Sequence, residues 1–281
     1  MVSRTAVWAF HLHEISFCDD AAPVTYRDLH IDVRGPADAD PLLLLHGWGS
    51  SSEHMRPVAE ALDASYRCHL VDLPGHGASP PPAEPWGVPE HAACLWEYIQ
   101  QEIQTKVTIV GHSNGGRLAL YLASRPTTSD LVRRLILVSP SGVRPERSWT
   151  VRARSGVAKA LKAPVQALPE PVRGPALDWL RHSAVWKLLG SSDYNAASGV
   201  MRETFVKTVN YHLDDVLDRI SAPTLLFWGT DDEAVSRRQM TVLEDAIPDC
   251  GLVELPGAGH YGHLEQFDTF LAAVRHFLDH S

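Results

Sequence analysis

No apolar run in the sequence approaches the roughly 18 residues of a membrane span, so no integral membrane segment is expected. Positive charge is not in excess. The 25 Lys and Arg face 34 Asp and Glu, for a net charge of −9. That disfavours nucleic acid as a partner, because nucleic-acid binders concentrate basic charge on one face. Cysteine is scarce: the four residues Cys18, Cys68, Cys94 and Cys250 lie far apart and form no CxxC. This argues against a disulfide framework or a thiolate metal site, and for reduced thiols in the cytoplasm. There is no Asn-x-Ser/Thr acceptor. The apolar patch Ala6–Phe10 is interrupted by His11, His13 and Glu14 with no small-residue cleavage site after it, so no secretory signal is read. No HExxH occurs, and His11-x-His13 is the one HxH pair among 15 histidines. Neither a metal nor another cofactor is expected.

What is present is enough apolar material for a sizeable core: 44% of the 281 residues are hydrophobic and 21% charged. That composition belongs to a globular chain of one large domain or two small ones. There is no internal repeat, and no low-complexity tract beyond Pro80–Pro82. Apolar runs alternate with helical stretches. This predicts an α/β fold, with a mostly parallel twisted sheet flanked by crossover helices. Val24–Val33 alternates like an antiparallel strand pair at a sheet edge. Leu42–Leu45 is apolar at every position, as a strand covered on both faces must be. Further strands are expected at Tyr66–Leu70, Val107–Val110, Leu135–Val138, Thr224–Trp228 and Leu252–Leu255. A closing helix is expected at Asp268–Leu278, with Phe270, Leu271, Val274, Phe277 and Leu278 on one stripe.

The rhythm fails between Gly142 and Ser221, where prolines recur and no strand is apparent. Helical patterns at Val151–Leu161 and Thr204–Leu217 suggest a mostly helical insertion. The expected division is a core of residues 1–142 and 221–281, with residues 143–220 inserted in it. Val143–Gly190 holds nine Lys or Arg against three acids, so it carries +6 while the remaining chain carries −15. Such a segment is either a solvated helical surface or a basic rim that attracts an anionic substrate or membrane surface.

The most informative stretch is Val107-Thr-Ile-Val-Gly-His-Ser-Asn-Gly-Gly-Arg-Leu-Ala-Leu. It reads strand, sharp turn, helix, with Gly111-His112-Ser113-Asn114-Gly115 at the turn. A serine on such a turn has its neighbours at ±2 pressed against backbone, where glycine fits. The turn lifts Ser113 Oγ clear of the sheet and points the Asn114 N–H, at a helix N-terminus, toward a developing oxyanion. Leu42–Leu45 runs into His46-Gly47-Trp48-Gly49, whose Trp48 N–H is the candidate second oxyanion donor. His46 is read as a structural residue of that loop. In Val71-Asp72-Leu73-Pro74-Gly75-His76-Gly77, Asp72 and His76 are read as braces. A serine nucleophile needs a base, and the base an orienting acid. Both follow strands later in the chain. Asp231, Asp232 and Glu233 compete for the acid, and His260 and His263 for the base.

Together these stretches resemble the α/β-hydrolase superfamily from about Pro41 to Leu278, apart from the insertion. HGWG is similar to its oxyanion loop, GHSNGG to its nucleophile elbow, WGTDDEAV to its acid loop and GAGHYGHLEQF to its histidine loop. The resemblance implies the triad Ser113, Asp232 and His260, oxyanion donors at the Trp48 and Asn114 backbone N–H groups, and a helical lid over residues 143–220. Ser113 stands where epoxide hydrolases and haloalkane dehalogenases carry Asp. Asn114 replaces the Trp of prolyl aminopeptidase-like members and the Met of perhydrolase-like ones. The implied activity is hydrolysis of an ester-type bond in a small-molecule substrate, without cofactor. Hydrolysis of a diketone C–C bond uses the same triad, and a small-molecule sensor can keep the same residues. A homo-oligomer is compatible with the sequence.

Overall fold

The computed structural model describes residues 24–145 and 196–280, with the isolated residues 164, 169 and 171. Its seven strands are β1 (Ile31–Arg34), β2 (Pro41–Leu45), β3 (Arg67–Val71), β4 (Val107–His112), β5 (Val132–Val138), β6 (Thr224–Gly229) and β7 (Cys250–Leu255). They form one sheet in the order β1-β3-β2-β4-β5-β6-β7. Only β1 runs antiparallel, against β3, and the other pairs are parallel. Every residue of β2 and β4 is buried. A parallel sheet covered by helices has no wet face, which is why these strands are continuously apolar in sequence.

The two-residue period of the strands divides the core into two layers. Leu43, Leu45, Ile109, Leu135 and Leu137 pack against α2 (Val88–Tyr98), α3 (Asn114–Ser124) and α5 (Arg237–Ala246). Leu42, Leu44, Val110, Ile136 and Val138 pack against α1 (Arg56–Leu62) and α7 (Phe267–His280). The predicted stripe on the last helix holds: Phe270, Leu271, Val274 and Leu278 are buried, and Phe277 packs at the margin of the same layer.

Three sequence expectations need correction. Val24–Val33 is not a strand pair. Tyr26–Asp28 forms a 3-10 turn because the Thr25 N–H donates to the Asp28 carboxylate (2.8 Å), and only Ile31–Arg34 joins the sheet. β3 starts at Arg67 because the Tyr66 N–H still donates to Leu62 in the turn after α1 (3.0 Å). Thr204–Leu217 is not one helix. Here α4 (Gly199–Val209) stops at Asn210, whose side chain donates to the Val206 carbonyl (2.7 Å). The chain then turns back, with the Leu213 N–H on the Gly142 carbonyl (2.9 Å), into a 3-10 turn at Asp214–Arg219. The expected helix at Val151–Leu161, the basic cluster apart from Arg144, Cys18 and the His11-x-His13 pair lie outside the described residues. Among the described residues no helix is long and apolar enough to cross a membrane.

Candidate active site

Four strand ends converge at the carboxyl edge of the sheet, where open α/β sheets place their ligand crevice. β4 delivers Ser113. Its backbone is held at φ 51° and ψ −108°, a left-handed conformation that a non-glycine residue adopts only under constraint. The constraint is visible. The Ser113 N–H donates to Val138 (3.0 Å), while its carbonyl accepts from Arg117 (3.1 Å) and Ser141 (3.0 Å). The glycines are dictated by contact. A Cβ on Gly111 would lie 2.8 Å from the backbone of Gly115, and one on Gly115 would lie 2.3 Å from the Leu45 carbonyl oxygen. The elbow therefore wedges directly onto the end of β2.

From β2 the chain enters His46–Gly49. His46 Nδ1–H donates to the Gly47 carbonyl (2.7 Å), and Nε2 accepts from the Leu73 N–H (3.0 Å). Burial pushes the His46 pKa down to about 4, so the ring is a neutral strut, as its sequence setting suggested. A Cβ on Gly47 would lie 3.3 Å from Ser113 Cβ, so this loop passes directly beside the nucleophile candidate. The Trp48 indole sits edge-on to His76 (4.7 Å) and against Phe205 of α4 (5.1 Å). Neither the Trp48 nor the Asn114 backbone N–H donates to another loop or strand acceptor among the described residues. Asp72 accepts from Ser52 N–H (2.7 Å), Ala78 N–H (2.9 Å) and His30 Nδ1 (3.1 Å). Burial raises its pKa, but the bonds from Ala78 and Ser52 outweigh burial and hold the carboxyl below its ordinary value. It braces a loop.

The acid rivals separate clearly. Asp232 is buried, and its Oδ1 accepts from the Ala234 (2.7 Å) and Val235 (3.0 Å) N–H groups. Its Oδ2 lies 2.9 Å from His260 Nδ1. Burial pushes this carboxyl up, yet the bonds from His260 and Val235 overcome it and keep the pKa below the ordinary value. Asp231 and Glu233 are exposed; the Asp231 N–H donates to the Ala258 carbonyl (2.9 Å), and its carboxylate accepts from the neighbouring Thr230 hydroxyl (3.3 Å). Gly229 permits the meeting of acid and base loops: a Cβ there would lie 2.3 Å from the carbonyl oxygens of both Ala258 and Gly259.

The base rivals separate as well. His260 is partly exposed and paired with Asp232. His263 is fully buried, tilted against His112 (4.9 Å) and edge-on to Phe270 (6.0 Å), and burial lowers its pKa to about 4. The base loop is further tied by Glu265, which accepts from the Gly259 (2.7 Å) and Tyr261 (3.3 Å) N–H groups. The structure shows no direct hydrogen bond between Ser113 Oγ and His260. The elbow and the base loop are joined instead through His112, whose Nε2 lies 3.0 Å from the His260 carbonyl oxygen.

Two features escaped the sequence reading. One is the His112 bridge, hidden at the variable position of the elbow motif. The other is the cover from α4, where Phe205 meets Trp48 and Met201 occupies the space a Gly75 side chain would need, its sulfur 2.3 Å from that Cβ position. Met201 and Phe205 are four apart on one helical face, the available signal.

The model of the α/β-hydrolase fold matches residues 40–267. The pimeloyl-[acyl-carrier protein] methyl ester esterase of Chromobacterium violaceum is 26% identical over 252 residues, covering 85% of this chain and 94% of that protein. A hydrolase from Pseudomonas aeruginosa superposes with a TM-score of 0.68 at 21% identity, over 92% of this chain and 97% of that one. The enol-lactonase of Burkholderia xenovorans gives a TM-score of 0.67 at 22% identity, over 89% and 96%.

Proposed function

The chain belongs to the α/β-hydrolase family, and from that premise we propose that it is a serine hydrolase cleaving an ester-type bond through Ser113, His260 and Asp232. The observation that carries this reading is the 2.9 Å contact between Asp232 Oδ2 and His260 Nδ1. It leaves Nε2 as the ring nitrogen available to take a proton. In the proposed reaction His260 Nε2 removes the Ser113 hydroxyl proton as Oγ bonds to the carbonyl carbon. Asp232 holds the tautomer and stabilises the imidazolium. The Trp48 and Asn114 N–H groups receive the oxyanion, aided by the positive end of α3. The tetrahedral intermediate collapses, the C–O bond to the alcohol breaks, and His260 returns the proton to the leaving oxygen. Water, deprotonated by His260, then attacks the acyl carbon, the C–O bond to Ser113 Oγ breaks, and His260 returns the proton to Oγ as the carboxylic acid leaves. No step calls on a cofactor.

The ester assignment is supported by the Chromobacterium relative, which is a methyl ester esterase. We assign residues 143–220 as a lid. The contact of Phe205 with Trp48 supports this, because it brings the return helix of that segment against the proposed oxyanion loop. The test is turnover of p-nitrophenyl acetate and butyrate, with a fluorophosphonate adduct mapped by peptide mass. Turnover with the adduct on Ser113 is expected. An adduct on another serine, or neither turnover nor labelling, overturns the reading.

A further inference from the structure

His112 has no chemical step in the proposed reaction, yet it touches three of its parts. It is the last residue of β4 and its side chain is buried. Nε2 lies 3.0 Å from the His260 carbonyl oxygen. A carbonyl only accepts, so Nε2 must carry the hydrogen. Burial, reinforced by the neighbouring His263 and His260, holds the His112 pKa well below 6.5. The ring is therefore neutral, and Nδ1 is a bare lone pair. Nδ1 is buried with no hydrogen-bond partner among the described residues. It faces the Gly47 backbone, where a Cβ would lie only 3.0 Å away. Three rings hold the imidazole in place: Tyr261 at 4.7 Å, His260 at 4.8 Å and His263 at 4.9 Å.

We propose that His112 is a positioning residue: by donating from Nε2–H to the His260 carbonyl while its other edge abuts Gly47, it sets the spacing between Ser113, the base and the oxyanion loop. This rests on the serine-hydrolase reading above. The geometry explains why such a tie is needed. Asp232 grips His260 only through Nδ1, which orients the ring without fixing how far its backbone stands from Ser113. The Glu265 bonds tie the base loop to the short helix that follows it (α6, Gly262–Glu265), not to the elbow. The bond from His112 spans that gap from the residue adjoining the nucleophile. Its neutrality also fits the task. His260 becomes a cation in the proposed reaction, and a second cation one ring away would oppose that step.

The test uses His112→Gln, His112→Asn and His112→Phe in the full chain. A Gln amide nitrogen reaches about as far as Nε2, Asn falls short of it, and Phe keeps the ring packing without the donor. kcat and KM for p-nitrophenyl butyrate are measured per active site, counted by fluorophosphonate titration. Asn and Phe should lower kcat by up to about 100-fold with KM nearly unchanged, the cost of a misplaced base. Gln should recover most of the loss. A merely structural role would lower the melting temperature and the count of active sites but leave kcat per site intact. If Phe does not fold, the Gln and Asn pair decides. Equal kcat in both, whether high or low, overturns the proposal. A wild-type imidazole nitrogen spectrum gives a readout independent of turnover. It should show His112 as the neutral Nε2–H tautomer at pH values where an ordinary imidazole is protonated. The Nδ1–H tautomer, or ordinary titration, overturns the proposal even in an active enzyme. An inactive, unlabelled wild type with the expected spectrum would instead refute the serine-hydrolase reading.

Discussion

Ser113 is held at φ 51° by hydrogen bonds on both sides of its peptide, so the site invests backbone strain in the residue proposed to attack. Strain of this kind persists only where surrounding structure over-determines it. Ser113→Ala keeps the Cβ and the strain but removes the oxygen. The variant should fold, lose the fluorophosphonate adduct, and show kcat at least about 10⁴-fold lower on p-nitrophenyl butyrate. Retention of one tenth of the rate would remove Ser113 from the chemistry. The acid gives a sharper contrast. Asp232 offers Oδ1 to two backbone N–H groups and Oδ2 to His260. In Asp232→Asn one of those positions becomes a donor, so either a backbone N–H loses its acceptor or His260 is forced into the wrong tautomer. A kcat loss of about 10³- to 10⁴-fold is expected. Asp231→Asn changes an exposed group with a single weak contact to its neighbour and should leave kcat near wild type. Assay of the two variants side by side checks the assignment, and a larger loss in Asp231→Asn would reverse it.

At the scale of elements, the site is made by loops that approach until backbone meets backbone. Gly229 ends β6 where the Ala258 and Gly259 carbonyls leave no room for a methyl group. Gly229→Ala should therefore push the acid loop from the base loop. An overpacking cost of about 1–3 kcal/mol is expected, together with a fall in kcat per titrated site. Denaturant unfolding and active-site titration would measure both, and an unchanged kcat would show that the loops can separate without disturbing the Asp232–His260 bond. Leu42–Leu45 and Val107–Val110 were legible as strands because burial on both faces demands continuous apolar runs. The elbow was legible because Gly111 and Gly115 are required within a few residues of Ser113. Asp232 could be preferred over its neighbours only by family resemblance, since the choice depends on a partner 28 residues further along the chain. The 3-10 turn at Tyr26–Asp28 and the break after Val209 depend on Thr25 with Asp28 and on Asn210 with Val206, local side-chain bonds that hydrophobic periodicity does not encode. The His112 bridge spans 148 residues, and no pattern near Ser113 points to it.

For the whole molecule, burying neutral imidazoles makes folding sensitive to acid. His46, His91 and His263 are all buried, and burial lowers each pKa from 6.5 to about 4. In the unfolded chain these rings protonate near 6.5. Between that pH and about 4 the unfolded state binds more protons than the folded one, so stability must fall as pH falls through this window. Below about 4 the folded rings protonate too, and their contribution to the loss levels off. Each group can account for at most about 3 kcal/mol, so three together rival the 5–15 kcal/mol that holds a typical domain folded. Asp72 and Asp232 act in a different range. Their folded pKa values lie below 3.8, so their stabilisation persists above the unfolded carboxylate pKa and is lost only at lower pH. Histidine protonation should therefore unfold the protein before the carboxylates titrate. Thermal melts in half-unit steps should show the melting temperature dropping mainly between pH 6.5 and 4. His91 lies on α2, with Nδ1 on the Gly87 carbonyl (2.8 Å), and has no part in the proposed reaction. His91→Gln should melt lower at pH 7, because packing is lost, yet show a shallower slope across the window, because one proton-binding difference is gone. A wild-type curve that stays flat to pH 4.5, or a variant slope as steep as the parent, would shift the acid sensitivity from these rings to the carboxylates.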